Sequence, residues 1–217
     1  KRWKRLNKIV ISMIEKEVVR LNEYAALLDI GAGRGDFYRA ADFLLKKYTG
    51  IEPSLSMLKD EIKEDDFELV HGAGEEMDYT EAYEICLIKE VLDHCYDPQK
   101  VIENCFKALK PGGAVIITLT NKDSYYKKIF KKKAEKLEKE HTDHLHNFNM
   151  REAVEMAEKA GFIVERSFLY NYLRLPCFME EAVGKLPEKL VFFILDISDV
   201  FLRFFMRKNG GSFIITA

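Results

Sequence analysis

Asp29 stands two residues before a run in which Gly31, Gly33 and Gly35 take alternate positions, within the stretch LLDIGAGRGDF from Leu27 to Phe37. Glycines at that density let a backbone turn sharply and pass close to a ligand. The spacing G-x-G-x-G differs from the G-x-G-x-x-G of a pyrophosphate-binding turn, and no Gly-Lys-Ser/Thr follows, as a phosphate loop requires. A carboxylate beside a tight turn that is not built for phosphate suits a cofactor carrying a cation.

S-adenosylmethionine is such a molecule: its ammonium can meet backbone carbonyls and, directly or through water, Asp29. Gly31, Ala32 and Gly33 are the loop residues expected against it. A second acid, Glu52, lies about 20 residues past the glycines, where folds of this kind hydrogen-bond ribose hydroxyls. Pro53 follows it and stops the strand, and Ser54 can cap the next helix. The segment His71 to Met77 has small residues at Gly72, Ala73 and Gly74, which leave room for a flat ring; Ala73, Gly74 and Glu75 are read as the adenine contacts. Lys89 and Glu90 end a buried run, YEICLI from Tyr83 to Ile88, and so fall on the same ligand side.

These residues need a sheet to hold them. Ile9, Met13, Ile14, Val18 and Leu21 recur at helical spacing and predict an amphipathic helix from about Trp3 to Leu21. Strands are predicted at Ala25 to Asp29, Tyr48 to Ile51, Phe67 to Val70, Tyr83 to Ile88, Ala114 to Leu119, Phe162 to Leu169 and Gly211 to Thr216. Between them, Phe37, Ala41 and Leu44 show helical spacing, and a helix is expected from Leu55 to Lys63. Asp97-Pro98 starts another, closed by Leu109-Lys110-Pro111-Gly112-Gly113, and Asn149 with Glu152 reads as a capped helix start.

The 217 residues suffice for one full α/β domain. A net charge of -2 gives the molecule as a whole no electrostatic pull on nucleic acid. Cys86, Cys95, Cys105 and Cys177 form no C-x-x-C pair and no zinc spacing, so they read as reduced thiols. The basic opening Lys1 to Arg5 runs into Asn7, Lys8, Glu15, Lys16 and Glu17, too polar for a secretory signal, and a cytoplasmic chain is expected. That position 1 is not Met reads as processing or truncation.

The order LLDIGAGRGDF, GIEPS, GAGEEM, IKEVLDHCYDP and ALKPGGAVIIT resembles the class I S-adenosylmethionine-dependent methyltransferases, from about Ala25 to Thr120. The resemblance implies an α/β fold with a doubly wound, mostly parallel seven-stranded sheet, Rossmann-like, with helices on both faces and strands six and seven as an antiparallel pair at one edge. It implies methyl donation from a sulfonium. Ala73 departs from the family, whose members often place there an acid that contacts the adenine amine; this shifts the base contact toward Gly74 and Glu75.

The second half must hold the acceptor. Residues 121–147 form a long connection on the ligand side and read as a lid; the lysines at 127, 128, 131, 132, 133, 136 and 139 make it basic. It reads either as a solvated helix with an apolar stripe or as a docking surface for anionic material such as lipid head groups or RNA. His141, Asp143, His144 and His146 follow; imidazoles and carboxylates are zinc ligands, but no spacing matches a known site and no metal is expected. About forty residues separate the last two strands, a helical insertion at 174–208. Its apolar stretch 190–206, interrupted by Asp196, Asp199 and Arg203 on one stripe, is no membrane span. A helix so apolar is buried in the domain, in a partner such as a second copy, against a hydrophobic substrate, or at a membrane surface.

Transfer from a sulfonium needs alignment, exclusion of water and, for a hydroxyl acceptor, a base. His94 and then His144 are the candidate catalytic residues, with His146 behind them, because imidazole titrates near neutrality. The expected function is methyl transfer to a small or lipid-like acceptor, at oxygen. The alternatives are an RNA methyltransferase using residues 127–139, and a catalytically silent scaffold that binds the cofactor.

Overall fold

Apolar runs bounded by turns become the strands of one sheet, and the helices come from segments with a single apolar stripe. The computed structural model describes residues 2–58, 64–129, 144–173, 185–206 and 209–217. In chain order the elements are α1 (Arg2–Leu21), β1 (Ala25–Ile30), α2 (Tyr38–Ala41), β2 (Leu45–Glu52), β3 (Phe67–His71), β4 (Tyr83–Lys89), α3 (Pro98–Ala108), β5 (Leu109–Thr120), α4 (Tyr125–Ile129), α5 (Met150–Lys159), β6 (Arg166–Tyr170), α6 (Glu188–Phe205) and β7 (Ser212–Thr216). The seven strands lie in the order β3-β2-β1-β4-β5-β7-β6. The first five are parallel, and β7 is antiparallel to both β5 and β6.

Both faces of this sheet are covered, which is why β1 is buried along its whole length. Alternate residues divide between two cores. Leu28, Ile30, Cys86, Ile88, Val115 and Ile117 join Val101, Ile102, Cys105 and Ala108 of α3, with Ala153 and Ala157 of α5. Leu27, Ile85, Leu87 and Ile116 meet Val10 and Ile14 of α1 and Tyr38 of α2 on the other face. Burying each large aliphatic contributes roughly 1.5 to 3 kcal/mol before entropy is counted. Below the first core layer, Glu84 holds the strands' amino ends together: it accepts from Lys46, Lys110 and the Ala26 amide.

Several boundaries differ from the sequence reading. The helical spacing at Phe37 to Leu44 becomes one turn of α2 and a 3-10 turn at Asp42–Leu44, because β2 already begins at Leu45. Ser54 to Leu58 form turns rather than the start of a helix, and residues 59–63 lie outside the described residues. Extended pairing of Leu109 with Tyr83 carries β5 through Pro111, Gly112 and Gly113. β6 starts only at Arg166, since Phe162 is held by an edge contact to Phe106 and Ile163 faces solvent. The capping box of α5 forms as read: Asn149 accepts from the Glu152 amide and Glu152 from the Asn149 amide.

α6 lies within the insertion at 174–208, of which residues 174–184 and 207–208 fall outside the described residues. Its acids face α1: Arg5 donates to Asp196 and Asp199, and Lys4 to Glu188. Val191 and Phe192 are buried, whereas Phe193, Ile197, Val200, Phe201, Phe204 and Phe205 are exposed, so burial within the domain does not account for this helix. No helix among the described residues is long and apolar enough to cross a membrane.

Candidate active site

At the carboxyl end of β1 the chain leaves the sheet through Gly31, with φ +68°, and Gly33, with φ +59°. A Cβ on Gly31 would lie 2.5 Å from a methyl of Val91, so this position needs glycine for space as well as for conformation. The amides of Gly31 and Ala32 both donate to the Ile51 carbonyl, at 2.8 and 3.1 Å. The Gly33 amide donates to Glu52 Oε2 and the Ser54 amide to Glu52 Oε1, each at 2.9 Å. Two backbone donors therefore fix the Glu52 carboxylate between the tips of β1 and β2, directly after which Pro53 ends the strand. A carboxylate has about four acceptor sites, so each oxygen can still receive a hydroxyl.

Asp29 lies one strand position behind the loop, 2% exposed, and the Tyr48 hydroxyl donates to its Oδ2 at 2.6 Å. Burial pushes the Asp29 carboxyl up to about 6, against the pull of Lys89 and the Tyr48 hydroxyl, with Glu52 adding to the rise. Burial likewise pulls Lys89 down, while Asp29, Asp36 and Glu90 resist. The Lys89 ammonium donates to Asn7 Oδ1 at 3.1 Å and stands 4.5 Å from the centre of the Phe37 ring and 5.9 Å from that of Trp3. A buried acid and a buried amine thus share one low-dielectric crevice under α1.

The Ala73 to Glu75 turn packs beside β1. A Cβ on Gly74 would come 2.9 Å from Ile30 and 3.2 Å from Val101. The Asn104 amide donates to the carbonyls of Gly74 and Glu75, at 3.0 and 2.8 Å. Glu75 itself is turned away to the loop before α3, where its Oε1 accepts from the Tyr96 amide at 2.9 Å.

Past Lys89, Glu90 adopts φ +56°, a conformation costly for a residue with a long side chain. Thr120 Oγ1 donates to its Oε2 at 3.0 Å. Glu90 and Thr120 line a cavity of about 370 Å³ with Tyr170, Asn171 and Ser212, roofed by Trp3 and Leu6 of α1. Asn171 is also left-handed, at φ +59°. Backbone strain of this kind gathers where a ligand is handled. A larger cavity, about 550 Å³, sits at the opposite end of the strands around Lys107, Lys110 and Gly112, remote from the glycine loop.

The loop after β4 carries the third group. His144 Nδ1 is 2.7 Å from Asp93 Oδ2, and the His94 and His144 rings are 4.4 Å apart. Leu145 and His146 amides donate to the Asp93 carbonyl, which brings the return of the lid segment onto this loop. His146 stacks on Phe148 instead of joining the cluster. Residues 130–143, with His141, Asp143 and the lysines from 131 on, lie outside the described residues.

The structure thus gathers Asp29, Gly31, Ala32, Gly33, Glu52, Pro53 and Lys89 at one crevice, with Ala73 and Gly74 at the neighbouring tip. Glu90 faces the adjoining cavity, and His94 and His144 share the next loop. Sequence reasoning missed Tyr48, read only as a strand residue, and Asn104, a single amide among the apolar positions of α3. It also missed Asp93, whose partner lies 51 residues away.

A family model described as a methyltransferase domain matches residues 28–117, which hold the glycine loop, Glu52, the Asn104 turn and the Asp93 loop. An uncharacterized protein of Methanocaldococcus jannaschii, MJ1123, is 31% identical over 159 residues, covering 68% of this chain and 74% of that protein. The chain belongs to the class I S-adenosylmethionine-dependent methyltransferases. It is an enzyme of that superfamily, with S-adenosylmethionine as its cofactor. A ubiquinone biosynthesis O-methyltransferase of Bradyrhizobium is 29% identical over 102 residues, which is 45% of this chain and only 40% of that protein. The fold itself matches the crystal structure of an S-adenosylmethionine-dependent methyltransferase from Archaeoglobus fulgidus with a TM-score of 0.62, at 18% identity, over 97% of this chain and 93% of that one.

Proposed function

We propose that this methyltransferase moves the methyl group of S-adenosylmethionine to an oxygen of a small or lipid-like acceptor held in the cavity around Glu90. The observation that carries this reading is the adjacency of two spaces under α1. Lys89 lies over the Asp29 crevice, its ammonium also facing the ring of Trp3, and Trp3 roofs the Glu90 cavity. A volume of about 370 Å³ is within the range of small-molecule sites. Trp3 and Leu6 of α1 border it on one side, and its lining among the described residues holds no lysine or arginine, unlike the basic groove that a nucleic acid strand needs.

In this reading Asp29 meets the cofactor's ammonium and Lys89 its carboxylate, while the backbone of Gly31 to Gly33 borders its amino-acid part. Glu52, oriented by the Gly33 and Ser54 amides, accepts from the ribose hydroxyls. Gly74 lets the Ala73 to Glu75 backbone, pinned by Asn104, lie against the adenine. The cofactor brings an activated methyl; the chain contributes alignment and exclusion of water. Thr120, Asn171 and Ser212 offer hydrogen-bonding groups that suit a hydroxylated acceptor, in keeping with the similarity to the Bradyrhizobium O-methyltransferase. His144, braced on Asp93, and His94 beside it are the groups proposed to receive the acceptor's proton.

Tritiated methyl transfer to a panel of phenols, catechols, alkylamines and total tRNA tests the proposal. Label in hydroxyl acceptors, with Glu90→Gln raising KM for the acceptor and leaving cofactor affinity unchanged, is expected. Label confined to RNA or amines contradicts it.

A further inference from the structure

The side chains of Asp93, His94 and His144 bring one carboxylate oxygen and two imidazole nitrogens within 4.8 Å of one another. Sequence spacing alone gave no metal site, because two of the three ligands are consecutive and the third arrives from the far end of the lid segment. Two observations point to an ion rather than to a hydrogen-bonded pair alone. Asp93 Oδ2 is 2.7 Å from His144 Nδ1, but its other oxygen, Oδ1, is buried with no hydrogen-bond partner among the described residues. A buried carboxylate oxygen in that condition is costly unless something positive meets it. His94 Nε2 faces the same oxygen at 3.9 Å, too long for a hydrogen bond and near enough that a small closure would let one cation meet both atoms.

We infer that Asp93, His94 and His144 form a divalent metal site. Two imidazoles and one carboxylate are the donor set of Zn²⁺ and of related borderline cations such as Co²⁺ and Mn²⁺, and three protein ligands leave coordination positions for water or a substrate oxygen. Both imidazoles are over a third exposed, so the ion can enter from solvent. The backbone secures the ligands as well: the Leu145 and His146 amides donate to the Asp93 carbonyl, and so fix His144 against residue 93 before any ion binds.

The site also sharpens the proposed chemistry without depending on it. An acceptor hydroxyl bound to the cation loses its proton to solvent more readily; the oxygen then attacks the methyl carbon while the carbon to sulfur bond breaks and neutral thioether leaves. His94 and His144 would then act as ligands rather than as bare bases. Metal binding is measurable with no acceptor present, so its failure leaves the methyl-transfer reading standing.

The test is titration of the chelator-treated chain with Zn²⁺ by calorimetry and with Co²⁺ by absorption. One ion per chain and visible Co²⁺ ligand-field bands are expected. Asp93→Asn, His94→Ala and His144→Ala should each weaken binding by about tenfold or more while S-adenosylmethionine still binds, which shows that the fold is intact. His146→Ala should bind like the parent. Parent chain that binds no better than the His94→Ala, His144→Ala double variant, or that shows no Co²⁺ bands, overturns the inference.

Discussion

The Tyr48 hydroxyl donates a 2.6 Å hydrogen bond to the Asp29 carboxylate from the neighbouring strand, inside a crevice that excludes water. Asp29 is thereby kept ready as an anion at a place where its charge is costly. Burial outweighs the hydroxyl and Lys89, and the carboxyl sits at about 6 rather than near its ordinary value of 3.8. This folded-state value is raised, so ionised Asp29 lowers stability above about pH 6, and the penalty is relieved as pH falls through that value.

Asp29→Asn is accordingly expected to raise the stability of the cofactor-free chain at pH 7.5 by an amount on the order of 1 to 3 kcal/mol, seen as a higher melting temperature, while weakening cofactor binding. The opposite pH trend is expected for the parent's affinity: S-adenosylmethionine should bind less tightly as pH falls through about 6. Differential scanning fluorimetry and calorimetry across that range check both. A parent affinity that is flat from pH 7.5 to 5 removes Asp29 from the cofactor site.

Tyr48→Phe deletes the donor and leaves the carboxylate. The Asp29 value should rise further, moving the acid limb of cofactor binding to higher pH, and stability should fall by about 1 to 2 kcal/mol for the lost charge-assisted bond. Binding isotherms at several pH values, compared with the parent, read the displacement of that limb.

Glu84 behaves in the reverse sense. Burial opposes its ionisation, but hydrogen bonds from Lys110, Lys46 and the Ala26 amide outweigh burial and hold the carboxyl down at about 2. A depressed folded value contributes stability above the ordinary value of about 4.5, lost as pH falls from there toward 2. Glu84→Gln should cost on the order of 1 to 3 kcal/mol at pH 7, and the difference from the parent should shrink in denaturant titrations as pH is lowered through that window.

Asn104→Ala removes both donors that hold the Gly74 and Glu75 carbonyls. Two buried carbonyls then lose partners, at a cost of roughly 1 to 3 kcal/mol, and the adenine-side turn is loosened. Cofactor affinity should fall with kcat at saturating cofactor little changed; a stability loss with full affinity would show that the turn does not touch the cofactor.

What was legible in the sequence was local. Asp29, the glycine loop and Glu52 lie within 24 residues, and β1, α2 and β2 form one parallel strand-helix-strand unit, so spacing alone placed them together. Asp93 and His144 meet only through tertiary structure, 51 residues apart, and the Glu90 cavity takes walls from α1, the loop after β4, β5, β7 and the end of β6. No periodicity encodes such a meeting. Helix lengths failed where tertiary pairing overrode a pattern, as at Leu45 and Leu109. The apolar pattern of α6 reads as a helix that needs cover, whereas Phe193, Phe201 and Phe204 are exposed in the structure, where only Val191 and Phe192 of this helix are buried.

Calorimetric titration of S-adenosylmethionine into the parent, Asp29→Ala and Glu52→Ala chains tests the account most directly. One cofactor per parent chain is expected, with each variant folded and weakened by roughly 1 to 3 kcal/mol. Variants that bind as tightly as the parent, or a parent that releases no heat, would contradict it.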